Sequence, residues 1–129
     1  MTKTLKKRQN SVTFYDVKYN YPFLGINDMY IINKIQTAID YIEAHLKEDI
    51  SKDLISYLIG ISGPDIENAF KVLTGYTLAE YIRNRRLSEA ALDIKNSSRS
   101  MVNISLDYRY NSTASFARAF SRFHGYTAS

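Results

Sequence analysis

The sequence predicts an all-α fold of two helix-turn-helix subdomains joined by a long linker helix. Three observations predict it. From Ile31 onward, apolar residues recur at three- and four-residue steps, the period of an amphipathic helix. No stretch alternates with period two for long, which argues against a sheet. The chain also partly matches itself when offset by 50 residues, so one helical unit is written twice.

The elements follow in order. Residues 1–29 show no helical period. A basic start (Lys3, Lys6, Lys7, Arg8) gives way to aromatic residues from Phe14 to Phe23, punctuated by Pro22 and Gly25. This part reads as a basic, aromatic-containing N-terminal extension, partly disordered, with its aromatics capping the core. The folded domain is expected over residues 30–129. Asn27 or Asp28 caps a first helix whose inner face carries Ile31, Ile35, Ile39, Ile42 and Leu46. Ser51 is an N-cap before Leu54, Ile55 and Leu58. Ser62 caps the next helix, with Pro64 in its first turn and Ile66, Ala69, Phe70 and Leu73 inward, and Gly75 ends it. The first helix-turn-helix is thus placed at about residues 51–75. Thr77 opens the linker helix, about 77–95, with Leu78, Tyr81, Ile82, Leu87, Ala90, Ala91 and Ile94 inward. The second unit spans about 100–124: Met101, Ile104 and Tyr108, then a helix capped by Ser112 with Phe116, Ala119, Phe120 and Phe123 inward.

The repeat sets Ala69-Phe70 against Ala119-Phe120, Gly75-Tyr76-Thr77 against Gly125-Tyr126-Thr127, and Ser62 against Ser112. Each copy reads short helix, turn, capped helix, glycine stop. That is the homeodomain-like pattern in which the first helix braces the second and the second enters the DNA major groove. Two hairpins packed for stability alone would share it.

Charge narrows the choice. The net charge is +4. Residues 30–82 carry four Lys against eight acids, whereas residues 83–129 carry seven Arg and one Lys against three acids. Clustered arginine is the electrostatic footprint of a polyanion; a merely solvated basic face is the alternative. With no Cys, disulfide frameworks and thiolate zinc sites are excluded. No apolar run reaches the ~20 residues of a membrane span, and no apolar signal core follows the basic start, so a cytoplasmic protein with no membrane partner is expected. His45 and His124 sit on different elements, and no nucleophile–base pair, metal-ligand spacing or phosphate-cradling loop accompanies them. The expectation is therefore no catalytic residue, no metal and no cofactor.

Three segments carry a family resemblance: Phe70-Lys71-Val72-Leu73-Thr74-Gly75, Glu80-Tyr81-Ile82-Arg83-Asn84-Arg85-Arg86-Leu87, and Tyr108-Arg109-Tyr110-Asn111-Ser112 continuing through Ser115-Phe116-Ala117-Arg118-Ala119-Phe120. On these, residues 31–127 resemble the DNA-binding domain of the AraC/XylS family of bacterial transcription regulators. They are most similar to its stand-alone MarA/SoxS/Rob/TetD branch. The resemblance implies a sequence-specific regulator of double-stranded DNA, an activator rather than a repressor, that recruits RNA polymerase. No companion ligand-binding domain is evident, so control is expected through abundance.

Two units in one chain act as a built-in dimer. If the linker holds them rigidly, their recognition helices meet major-groove faces about 34 Å apart, and a monomer reads an asymmetric site. Arg83, Arg85 and Arg86 are the candidate phosphate contacts on the linker, joined by Arg122 and Ser112; any of the linker arginines could instead pair with Glu80 or Glu89. Thr113, Ser115 and Arg118 are the candidate base readers of the second unit. Arg118 leads them because arginine bonds a guanine edge in bidentate fashion, and by position it resembles the family's base-reading arginine. In the first unit Glu67 and Asn68 are the candidates. There the chain departs from the branch, which carries tryptophan, glutamine and arginine where this sequence has Pro64, Glu67 and Asn68. Asp65 and Glu67 would face phosphate, so the second unit is expected to supply most of the binding free energy. Arg109 stands where many members of the family have a turn glycine. The competing reading is a helix-turn-helix interaction module that contacts RNA polymerase or another regulator and binds DNA weakly or not at all.

Overall fold

A computed structural model of the chain describes residues 7–8, 11–12 and 28–129. Two short strands, β1 (Lys7–Arg8) and β2 (Ser11–Val12), pair antiparallel, with Lys7 opposite Val12. The aromatic stretch from Phe14 to Phe23, and Asn27, lie outside the described residues. The remainder is helical, and the fold class is all-α. The helices are α1 (Asp28–Ala44), α2 (Lys52–Ile59), α3 (Gly63–Thr74), α4 (Leu78–Asn96), α5 (Met101–Asp107) and α6 (Thr113–His124).

Local chemistry sets most of the helix ends. Ser51, Ser62, Ser100 and Ser112 hold extended backbone, and each hydroxyl accepts the amide of the residue three positions on. This satisfies a donor that the first helical turn otherwise leaves open. At α4 the arrangement is reciprocal. The Thr77 amide donates to Glu80 Oε1 (2.9 Å), and the Glu80 amide donates to Thr77 Oγ1 (3.1 Å). The repeat persists in backbone geometry: α3 and α6 are both 12 residues long and both stop at a left-handed glycine, Gly75 at φ 82° and Gly125 at φ 80°. In the turn of the second copy the left-handed position falls to Arg109, at φ 71°. Such a backbone costs a non-glycine residue roughly 1–2 kcal/mol.

The described chain forms two compact units. The first takes the described residues up to Ala44 together with Ile50–Tyr81. Its core is Ile32, Ile35, Ala38, Ile39 and Ile42 of α1, Ile55 and Ile59 of α2, Ile66, Ala69, Phe70 and Leu73 of α3, and Leu78 and Tyr81 of α4. Phe70 meets Tyr81 edge to face at 5.5 Å. The second unit comprises His45–Asp49 and Ile82–Ser129. Its core joins Leu87 and Ala90 of α4 to Ile104 and Tyr108 around α5 and to Phe116 and Phe120 of α6. Two inward assignments fail. Leu58 is 44% exposed, with Ile59 taking the buried place, and Phe123 is 40% exposed. In α2 the buried stripe lies one position away from the simplest reading of the apolar spacing, whereas in α6 it ends before Phe123.

Tyr108 closes the second core with a polar contact. Its hydroxyl donates to Asp93 Oδ2 (2.6 Å), and Lys47 Nζ lies 3.4 Å from the same oxygen. Burial first, and then this hydrogen bond to a carboxylate, push the Tyr108 phenol far above its ordinary value. A group whose folded pKa is raised contributes stability that is complete below its unfolded pKa, near 10 for tyrosine, and lost as pH rises above it. Denaturant unfolding between pH 8 and 11 therefore shows the protein weakening above pH ~10. Tyr108→Phe makes that decline shallower while lowering stability at pH 8; a decline of unchanged steepness contradicts the assignment.

Candidate nucleic-acid interface

The face of α6 is fixed by what it buries. Phe116 and Phe120, one turn apart, lie in the core. Residues two positions on from each project to the opposite side at 3.6 residues per turn. Those residues are Arg118 and Arg122, and both are exposed. Thr113, at the start of α6, is half-buried. Ser112 and Ser115 are engaged with each other. The Ser112 hydroxyl accepts the Ser115 amide (3.1 Å) and approaches Ser115 Oγ (3.0 Å), and the Ser115 hydroxyl donates to the Ser112 carbonyl (2.9 Å). In this structure both hydroxyls are engaged in the cap.

The arginines of residues 83–129 separate into two sets. Four are committed to the protein itself. Arg85 is only 5% exposed and bonds Glu89 Oε2 one turn along α4 (3.1 Å), which withdraws it from the surface arginines. Arg86 donates from Nε to the Leu46 carbonyl (2.9 Å) and from a terminal nitrogen to the Glu48 carbonyl (2.7 Å). It ties together the chain after α1, where those carbonyls have no helical partner. Partial burial, and next the charge of Arg109, lower its pKa. Arg86, a candidate phosphate contact, is thus held in this structure as a brace. Arg99 pairs with Asp107 (2.8 Å), and Arg109 pairs with Asp49. The second set is Arg83, Arg118 and Arg122. All three are exposed, and none of the ion pairs among the described residues uses them. Arg83 and Arg122 also line one concave site, together with Asn84, Leu87, Ala119 and Phe123. None of the last four was a candidate from sequence, because the groove is made by residues on two helices about 40 positions apart.

On α3 a second candidate is engaged within the protein. Glu67 is half-buried. Its Oε1 accepts the Leu78 amide at the start of α4 (3.1 Å), and its Oε2 lies 3.8 Å from Lys52 Nζ. It caps the linker helix. The exposed face of α3 carries Pro64, Asp65, Asn68 and Lys71. Asn68 remains in place as a candidate, and Lys71, one turn beyond it, is an exposed cation that the candidate set omitted; the i,i+3 spacing could have found it. His124 has a packing role: its Nε2 lies 2.9 Å from the Leu87 carbonyl, and its ring is 4.2 Å from that of Phe120. His45 is half-buried. Among the described residues no cluster of His, Asp and Glu could hold a metal, and no helix is long and apolar enough to cross a membrane.

Comparison with known proteins places this geometry. A helix-turn-helix domain family matches residues 56–129. Over 88 residues, 68% of this chain, the sequence is 35% identical to the regulatory protein SoxS of Salmonella typhimurium and covers 82% of it. Over the same length it is 34% identical to the right origin-binding protein of Escherichia coli, but it spans only 30% of that longer protein. The structure superposes with a TM-score of 0.72 on a transcriptional regulator from Chromobacterium violaceum described as containing an AraC-type DNA-binding domain, at 28% identity, covering 75% of this chain and 87% of that one. The chain belongs to the AraC-type helix-turn-helix family of DNA-binding transcription regulators. The family is one of regulators, not of enzymes.

The separation of the arginines has a measurable consequence. Hydrogen bonds from a charged donor contribute roughly 1.5–3 kcal/mol each. Arg86→Ala removes two of them, one part-buried at the Leu46 carbonyl and one exposed at the Glu48 carbonyl, and is expected to lower the unfolding free energy by about 2–3 kcal/mol. Arg118→Ala and Arg122→Ala, at exposed positions, should stay within about 0.5 kcal/mol of the parent. Urea titrations of the three variants check this; an Arg86→Ala protein as stable as the parent would contradict the bracing role.

Proposed function

We propose that the protein is a sequence-specific transcription activator that binds asymmetric promoter sites as a monomer, with its second unit providing most of the affinity. The observation that carries the reading is the set of three arginines, Arg83, Arg118 and Arg122, that no ion pair among the described residues uses. Every other arginine of this basic third has an intramolecular acceptor. An unpaired guanidinium on a helix surface is available to a phosphate or a guanine edge at no cost in broken contacts.

The roles follow from position. Arg118 reads a base edge, Thr113 at the helix start is a second reader, and Arg83 and Arg122 contact phosphate. In the first unit α3 reads through Asn68, with Lys71 toward phosphate. The exposed Asp65 opposes backbone charge there, so this unit contributes less. Recruitment of RNA polymerase and a cytoplasmic location are proposed from the family relationship. The rival, an interaction module without useful DNA affinity, draws on the acidic first unit and its exposed Tyr57 and Leu58.

Fluorescence anisotropy with labelled duplexes across a salt series separates the two. The proposal predicts binding that weakens steeply with salt. Arg83→Ala and Arg122→Ala should each weaken all sequences alike and reduce the log–log salt slope by about 1, whereas Arg118→Ala should cost about 1–3 kcal/mol and relax preference at one base pair. No binding at ~50 mM salt, or unchanged affinity and preference in Arg118→Ala, would overturn it in favour of the interaction module.

A further inference from the structure

The concave site on the second unit combines two chemistries that a DNA phosphate alone does not use. It has a volume of about 270 Å³ and is lined by Arg83, Asn84, Leu87, Ala119, Arg122 and Phe123. That is just below the ~300–1,000 Å³ of typical small-molecule clefts. The charged part is one-sided: two exposed arginines, neither ion-paired among the described residues, and no carboxylate among the lining residues. The remainder is largely apolar. Leu87 forms a buried floor beside Ala119, and Phe123 stands 40% exposed on the wall although its neighbour Phe120 is in the core.

Each simple ligand satisfies half of this arrangement. Inorganic phosphate neutralises the arginines but gains nothing from Leu87, Ala119 and Phe123. A hydrocarbon covers the apolar wall but strips water from two guanidinium groups without replacing their hydrogen bonds, which is costly. A flat monoanion with an apolar body satisfies both. Its carboxylate accepts charge-assisted bonds from arginine, its ring packs on Phe123 in a favoured aromatic geometry, and Asn84 supplies a further donor and acceptor.

We propose that this groove is a binding site for small aromatic carboxylates. Occupancy engages Arg83 and Arg122, so ligand and duplex compete. That competition, though not the site itself, rests on the reading of these two arginines as phosphate contacts. The regulator thereby gains a direct chemical input within its DNA-binding domain.

The test uses the full chain, isotopically labelled and free of DNA, titrated with naphthalene-2-carboxylate while backbone amide resonances are followed. Saturable shifts are expected for residues 83–87 and 119–123, with half-saturation at about 1 mM or below, as suits a small ligand in a half-open site. Arg122→Gln and Phe123→Ser, both at exposed positions, should each weaken binding at least about fivefold. The neutral naphthalene-2-carboxamide and inorganic phosphate should each bind at least about tenfold more weakly. Absence of saturation, equal binding of the amide or of phosphate, or unaltered binding in both variants would overturn the site. A second arm adds the carboxylate to protein held on a duplex at low salt. Release of the duplex supports the competition; a ternary complex with the groove still occupied overturns the competition and the phosphate assignment but leaves the groove standing.

Discussion

The burial of Phe116 and Phe120 against Leu87, Ala90, Ile104 and Tyr108 is the contact on which the functional surface depends. A helix has one free rotational choice about its axis, and two aromatic residues one turn apart remove it. Phe116 and Phe120 are packed at 5.7 Å from each other, and Tyr110 closes on Phe116 edge to face at 5.4 Å. Fully burying such a side chain stabilises by roughly 1.5–3 kcal/mol, far more than any exposed arginine contributes to folding. The direction in which Arg118 and Arg122 point is therefore a by-product of the core. The surface is free to vary chemically without endangering the fold.

Electrostatics then selects among the cations. Seven arginines lie in the last 47 residues, yet charge count alone overstates the basic surface. Arg85 and Arg86 maintain structure. Arg99 and Arg109 are neutralised by Asp107 and Asp49, the latter carboxylate almost wholly exposed. What is left is Arg83, Arg118 and Arg122, which no carboxylate among the described residues neutralises and which are therefore attractive to an anion at short range. Arg83 and Arg122 also border an apolar groove, and that coincidence underlies both the proposed DNA contacts and the proposed small-molecule site.

Much of this was legible in the residues. The apolar period, the serine caps and the glycine stops locate α2 through α6, because helix ends are decided by local hydrogen bonding that the neighbouring residues themselves reveal. The outward placement of Arg118 follows from the phenylalanine spacing alone. What was not legible depends on residues distant in the chain. Arg86 finds acceptors 40 and 38 positions away, and Glu67 finds the Leu78 amide 11 positions on. Neither pairing leaves a mark in sequence spacing. Arg85 is an intermediate case: Glu89 at i+4 is a visible partner, but the pairing does not disclose that the guanidinium is buried. Phe123 misled because an i,i+3 apolar residue after Phe120 reads as core, whereas in the structure it forms the wall of a groove. Arg109 adopts a left-handed backbone at φ 71°, at the position where the resemblance already set it against a turn glycine.

The account is tested most directly by arginine side-chain NMR. The Nε–H resonances of the full chain would be followed as a short mixed-sequence duplex is added at low salt. The account predicts that Arg83, Arg118 and Arg122 shift and gain protection from exchange on binding, while Arg85 and Arg86 keep their free-state signals. Perturbation of Arg85 and Arg86 with Arg118 and Arg122 unmoved would contradict it.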